Sequence, residues 1–183
     1  MKKLLLFTSL LILAACSDAI PEPAEGVLVV DNEADSLVLR KKSCEIPLKA
    51  IGGRSYVRLV DDMLTKVQSP EYDGVGIAGP QVGVSLRIVA VQRFDREGEP
   101  FEVYPNIRIT AVRGEKECGP EGCLSVPGRR GTVSRWRDID VRYTSPATLR
   151  DTTERVCGFT AVIFQHECDH LDGILYTDLQ LIE

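Results

Sequence analysis

The only two histidines of the chain, His166 and His170, stand four positions apart in Gln165-His166-Glu167-Cys168-Asp169-His170, with a glutamate beside the first. On a helix, residues i and i+4 share a face, so both imidazoles can reach one metal ion while Glu167 handles a proton. A hydrolytic site of this kind needs three protein ligands and an open position, and H-E-x-x-H supplies two. One arrangement places a third histidine six residues beyond the second, but that position holds Tyr176. Another takes a glutamate from a later helix, and the thirteen residues after His170 are too few for one that packs. The third ligand is therefore expected upstream, where Glu121-Gly122-Cys123-Leu124-Ser125 offers the Cys123 thiolate in a tight glycine-containing turn.

These groups need elements to hold them. From Gly158 to Leu171, Phe159, Val162, Ile163 and Phe164 give apolar cover at helical spacing, and Asp172-Gly173 supplies the stop. Tyr56, Leu59, Val60, Met63, Leu64 and Val67 recur at three- and four-residue steps and predict a second helix over 54–68, ended by Ser69-Pro70. Between the two, the β-branched run Arg87-Ile88-Val89-Ala90-Val91 reads as a buried strand. Further strands are expected at 102–104, 107–112, 131–133 and 139–143. Helices and strands in separate blocks predict an α+β fold, mostly antiparallel strands around a central helix that carries H-E-x-x-H.

A length of 183 residues fits one domain, and a formal net charge of −5 without a long basic run argues against a nucleic-acid partner. Arg129, Arg130, Arg135 and Arg137 do cluster, either as a solvated strand edge or as a grip on a peptide's backbone or carboxylate. The N-terminus is different in kind. Lys2 and Lys3 precede an apolar run from Leu4 to Leu13, and Leu13-Ala14-Ala15-Cys16 is similar to a bacterial lipobox. Residues 1–15 thus read as a lipoprotein-type signal peptide, Cys16 as the lipidation site, the proline- and acid-rich 16–36 as a tether, and 37–183 as the catalytic domain. The implied place is the cell envelope, lipid-anchored and facing the periplasm, with Ser17 favouring the outer membrane; without use of the signal it is the cytoplasm. Five further cysteines remain, an odd number for an oxidising compartment, and Cys118 with Cys157 is one candidate disulfide.

Three stretches, Gly74-Val75-Gly76-Ile77-Ala78-Gly79-Pro80-Gln81, Glu121-Gly122-Cys123-Leu124-Ser125 and Gln165-His166-Glu167-Cys168-Asp169-His170, closely resemble, in order and spacing, the three signature motifs of the peptide deformylase family. The resemblance runs from about Ile46 to Leu179. It implies a deformylase-like fold, removal of the formyl group from N-formyl-methionyl peptides, and one divalent metal ion per chain held by Cys123, His166 and His170. It also implies Glu167 as the acid/base, with the Gln81 side-chain amide and the Leu124 backbone N–H as donors to the developing oxyanion. The backbone at Gly76 is implied to lie along the substrate. Val75, Phe159, Val162 and Ile163 fall at positions of the family's methionine pocket, and Arg130 at that of a basic residue near the substrate.

Fe(II) is the ion the resemblance implies, whereas export favours Zn(II), because a thiolate-ligated ferrous centre is prone to oxidation. The chain departs from the family at Tyr104-Pro105-Asn106, in lacking a long C-terminal helix, and in its expected location. Its expected partners are formylated peptides or proteins and, through the anchor, a membrane; a monomer is expected. Two other readings stand beside this one: an exported metallopeptidase or deacylase using the same centre, and a non-catalytic lipoprotein that binds formyl-peptides or metal.

Overall fold

A computed structural model of the protein describes residues 19–181; the expected signal peptide and Cys16 lie outside the described residues. In chain order the described elements are α1 (Glu33–Leu39), α2 (Arg54–Val67), β1 (Gly76–Ala78), β2 (Ile88–Gln92), β3 (Phe101–Pro105), β4 (Arg108–Cys123), β5 (Val126–Thr144), β6 (Asp151–Cys157), α3 (Gly158–Leu171) and α4 (Tyr176–Leu179), with short 3-10 turns at Leu48–Ala50 and Gly79–Val82. Two antiparallel three-stranded sheets form, in the orders β1-β2-β3 and β4-β5-β6. The fold is α+β as expected, and among the described residues no helix is long and apolar enough to cross a membrane.

The H-E-x-x-H lies on α3, which packs against strands of both sheets. Its inward residues, among them Ala161, Ile163, Phe164 and Leu171, are buried with Val89, Val91, Tyr104 and Ile139. Helix α2 closes the other side of β1 and β2 with Tyr56, Leu59, Met63 and Val67. A buried arginine joins the sheets. Arg93, 3% exposed at the end of β2, donates to Asp95 at 2.8 and 2.7 Å and pairs with Glu154 of β6. Breaking such a pair from one side leaves an uncompensated charge, which costs about 3–5 kcal/mol. Asn106, at φ 58°, ties the sheets to the N-terminal half: its amide accepts from Ile46 N at 2.7 Å and donates to Ile46 O at 3.0 Å and to Thr144 Oγ1 at 3.2 Å.

Both expected helices form, over Arg54–Val67 and Gly158–Leu171. The two strands expected at 131–133 and 139–143 are instead one strand of 19 residues, β5, paired with the 16-residue β4. Much of this hairpin is exposed on both faces and its register shifts three times, so the inward–outward alternation that marks a strand is lost. The Cys118–Cys157 pairing does not form: both are free thiols. Cys118 pairs with Ser134 across β4 and β5, while Cys157 pairs with Asp138 on the far edge of β5, so a whole strand intervenes where a disulfide needs Cα atoms within about 7 Å.

The tether expected over 16–36 is corrected for residues 20–36, which pack on the domain. Ile20 is buried in the core beside α2, and Ala24, Leu28 and Val30 donate backbone hydrogen bonds to Val82, Gln81 and Ser125. Helix α1 begins in the same span, capped by the Asn32 side chain, which accepts from Asp35 N at 3.1 Å. Proline and acid content suggested a solvated chain, but Val27-Leu28-Val29-Val30 supplies enough apolar surface to dock it.

After α3 the chain reverses at Gly173, whose φ is 75° and where a Cβ would stand 2.4 Å from the backbone oxygen of Arg40. Gly173→Ala combines a left-handed conformation costing about 1–2 kcal/mol with that clash. We expect it to lower the midpoint of thermal unfolding by at least several degrees, as followed by circular dichroism.

Candidate metal centre

Three segments meet at one point. Helix α3 brings His166 and His170 on one face, with His170 buried and His166 partly so. Cys123 ends β4, and the two-residue turn Leu124-Ser125 leads straight into Val126 of β5, so the thiol sits at the tip of a hairpin. Cys123 Sγ lies 3.2 Å from His170 Nε2, and the ligating atoms of Cys123, His166 and His170 all lie within 4.8 Å of one another. A thiolate and two imidazoles on three fixed positions match the donor set and number of a catalytic divalent-metal site.

The imidazoles are held unequally. His166 Nδ1 is 2.8 Å from Glu121 Oε2, and donation to that carboxylate leaves Nε2 free for a metal. Glu121 is itself clamped by Arg135, which donates from Nε at 2.7 Å and from Nη2 at 3.1 Å, and the same guanidinium reaches Asp169 of α3 at 2.5 Å. Burial alone would raise the Glu121 carboxyl, but the hydrogen bonds from His166 and Arg135 outweigh it and hold the group at about 2. Burial works against charge on His166 too; its hydrogen bonds with Cys123 and Glu121 overcome that and raise it well above the usual histidine range. Burial pushes His170 well below that range. Among the described residues His170 Nδ1 has no hydrogen-bond partner.

Glu167 is 4% exposed, and burial lifts its carboxyl to about 7. Its Oε2 is buried without a hydrogen-bond partner among the described residues, which fits a carboxylate awaiting a reacting group beside a metal. The other oxygen faces β1. A Cβ added at Gly76 would lie 2.5 Å from Glu167 Oε1 and 2.8 Å from Ile163 Cγ2, so only glycine lets this strand pass so close to the carboxylate. Gln81, in the 3-10 turn after β1, accepts from Ala78 N at 2.8 Å. Its Nε2 donates to Ser125 Oγ at 3.3 Å and stands 3.7 Å from Cys123 Sγ, with its N–H groups toward the cage.

An open cleft of about 1020 Å³ runs over this point. It gathers every residue expected from the sequence to touch substrate: Gly76, Val75, Phe159, Val162, Ile163 and Arg130 line it together with Gln81, Cys123, Leu124, His166 and Glu167. Ile163 is buried, Val162 half-buried, and Val75 and Phe159 exposed at the rim. The arginine cluster divides. Arg129 and Arg130 line the cleft, Arg137 pairs with Glu117 on the surface, and Arg135 is neither a solvated edge nor a substrate grip but the buried clamp on Glu121. Sequence reasoning missed this clamp and also Gln165, whose side chain accepts from Trp136 N at 3.0 Å and donates to Trp136 O at 2.7 Å, pinning α3 to β5. The available signals were the acid two residues before Cys123 and the glutamine that opens the third motif.

Replacing Glu121 by Ala removes the partner that orients His166 and strands the Arg135 charge. Loss of such an orienting group weakens metal binding by about 10–100-fold. Competition of the purified protein against a chromophoric chelator measures this, and an unchanged affinity contradicts the assigned role.

The family model for polypeptide deformylase matches residues 26–180. The peptide deformylase of Finegoldia magna is 41% identical over 143 residues, covering 77% of this chain and 82% of that one. A class I type b peptide deformylase from Acinetobacter baumannii, solved with Met-Ala-Ser bound, superposes with a TM-score of 0.74 at 30% identity, covering 87% of this chain and 99% of that one. The Thermotoga maritima peptide deformylase superposes with a TM-score of 0.70 at 29% identity, again over 87% and 99% of the two chains. With the family matched along most of its length and the cage of two imidazoles and a thiol assembled, this chain belongs to the polypeptide deformylase family and is a metal-dependent hydrolase that removes the N-formyl group from peptides.

Proposed function

We infer that the cleft receives the N-terminus of a formyl-methionyl peptide and that the residues lining it divide the work of cleaving the formyl amide. When bound by Cys123, His166 and His170, a divalent ion supplies Lewis acidity that polarises the formyl carbonyl and acidifies water. The buried Glu167 carboxylate takes the proton released as water attacks the carbonyl carbon, and returns it to the amine nitrogen as the C–N bond breaks. The products are formate and a peptide with a free amino terminus. Gln81 Nε2 and the Leu124 backbone N–H donate to the carbonyl oxygen as it gains charge; losing one such donor raises the barrier by about 2.7–4 kcal/mol. Ile163 and Val162 offer an apolar floor to the methionine side chain, with Val75 and Phe159 at its mouth. The observation that carries this reading is the unpartnered Glu167 oxygen beside the three-ligand cage. The Met-Ala-Ser bound to the Acinetobacter baumannii relative supports the choice of substrate.

Export through the signal-like N-terminus places the activity in the cell envelope, with Cys16 acylated. Because Ile20 is buried in the core, three residues separate it from Cys16, four residue steps that reach at most about 14 Å. The enzyme then works against the membrane surface, on peptides or exported proteins that have kept their formyl group. In that compartment Zn(II) is favoured over the Fe(II) implied by the family, since the ferrous thiolate centre oxidises. Mass spectrometry of the mature N-terminus tests the anchor, and metal analysis of envelope-purified protein tests the ion; iron with undiminished activity in air overturns the zinc assignment.

The central experiment is formate release from formyl-Met-Ala-Ser. Glu167→Gln keeps the shape of the side chain and removes its proton-carrying capacity, so kcat is expected to fall by about 10²–10⁴-fold. Acetyl-Met-Ala-Ser, one methyl larger at the acyl group, is expected to react far more slowly. Turnover of the acetyl peptide, or cleavage of internal peptide bonds, at comparable rates marks a deacylase or peptidase instead.

A further inference from the structure

We propose that residues 20–30 form a positioning strap that fixes the spacing between the two oxyanion donors, the Gln81 side chain and the Leu124 backbone N–H; the proposal rests on the donor roles assigned above. Those donors come from separate parts of the chain, the 3-10 turn Gly79–Val82 and the tip of the β4–β5 hairpin. One short segment bonds to both. Leu28 N donates to Gln81 O at 2.8 Å and Val30 N donates to Ser125 O at 2.9 Å. N–H groups two residues apart can stand no more than about 6.8 Å apart even in a fully extended chain, so a segment bonded through both limits the separation of the two loops. The strap therefore acts as a ruler laid across two loops, holding the backbone of Gln81 and of the Leu124-Ser125 turn at one separation.

The ruler is fastened at its N-terminal end by contacts away from the chemistry. Ala24 N donates to Val82 O at 2.9 Å, and Lys66 Nζ of α2 donates to Ala24 O at 2.6 Å while pairing with Asp62. Lys66 is only 7% exposed, an expensive place for an ammonium group unless it holds something. Ile20 enters the core beyond it. Residues 20–25 precede the stretch, 26–180, that the family model matches. On the other side of the ruler, Val29 N donates to Asp35 Oδ2 at 3.2 Å, and Arg129 reaches Asp31 at 3.1 Å.

The test uses the full chain with its metal. Leu28→Pro removes the N–H that meets Gln81 O, and Lys66→Met keeps the stem while removing both of its bonds. A donor displaced by about an ångström slows the reaction by up to about 100-fold. We expect Leu28→Pro to lower kcat for formyl-Met-Ala-Ser by at least about tenfold, with KM within about twofold and metal content unchanged. Lys66→Met shifts kcat in the same direction by less. In the Gln81→Leu background either strap change should cost less than about a further twofold, because the donor it positions is already gone. Arg58→Ala, which removes an exposed pair with Glu22 on the strap, should leave the kinetics as they were. If Leu28→Pro fails to fold, Lys66→Met and its double variant decide. Wild-type kcat in folded strap variants while Gln81→Leu is slow, or losses that add fully to that of Gln81→Leu, overturn the strap alone; a Gln81→Leu enzyme at full speed removes the donor role on which it rests.

Discussion

A carboxylate buried in the interior must find its partners there, and the whole site hangs on how Glu121 finds them. It lies at the end of β4, Arg135 lies along the same face of β5, and Asp169 and His166 come from α3. Satisfying one acid thus ties the tip of a long, largely solvated hairpin to the helix that bears the histidines. Cys123 follows Glu121 by two residues and is carried into ligating range of His170 by the same bond network. Nothing apolar can replace this: a hydrophobic contact would hold the hairpin near the helix without fixing its direction, whereas a bidentate guanidinium–carboxylate pair fixes both.

What is left unsatisfied is as informative as what is paired. The Gln165 amide completes two bonds with the backbone of Trp136, whereas five buried side-chain atoms among the described residues have no partner: the hydroxyls of Ser43, Thr160 and Tyr176, Glu167 Oε2 and His170 Nδ1. Of these, Glu167 Oε2 and His170 Nδ1 both sit at the cage. Leaving a buried acceptor unpaired costs about 1–3 kcal/mol. Local structure that violates its own rules at a cleft is expected where selection has acted on chemistry rather than stability. The close passage of β1 at Gly76 follows the same pattern, since it brings backbone against the Glu167 carboxylate and leaves no room for any side chain there.

The part of this design legible in the sequence is the part built on residue type at fixed spacing. Two histidines around a glutamate fix the face of α3, and Cys123 in its short motif was reachable by asking where a third ligand had to be. The α2 and α3 boundaries followed from apolar period and from the glycine at 173. The clamp was not legible, because an arginine four strand positions from its partner acid's cross-strand neighbour has no periodic signature and looks like its exposed neighbours Arg129 and Arg137. Nor was the length of the β4–β5 hairpin, whose residues meet water on both sides and so carry no alternation. The segment before α1 misled for a different reason. Its prolines and acids are those of a linker, and only four consecutive apolar residues betray that it docks.

That docking separates two kinds of control over one centre. The metal cage is held by α3 and the hairpin through buried charge, far from the chain's beginning. The backbone at Gln81 and at Ser125 is held in part by hydrogen bonds from a segment that begins at Ile20. A backbone hydrogen bond to a half-exposed strap is worth about 0.5–1.5 kcal/mol net, well below the cost of breaking the Glu121–Arg135 pair. Displacement of this segment therefore acts first on the Gln81 and Leu124-Ser125 loops and last on the cage. The strength of the two kinds of contact thus separates them: the backbone bonds to residues 20–30 yield before the buried charge that holds Cys123 beside the histidines.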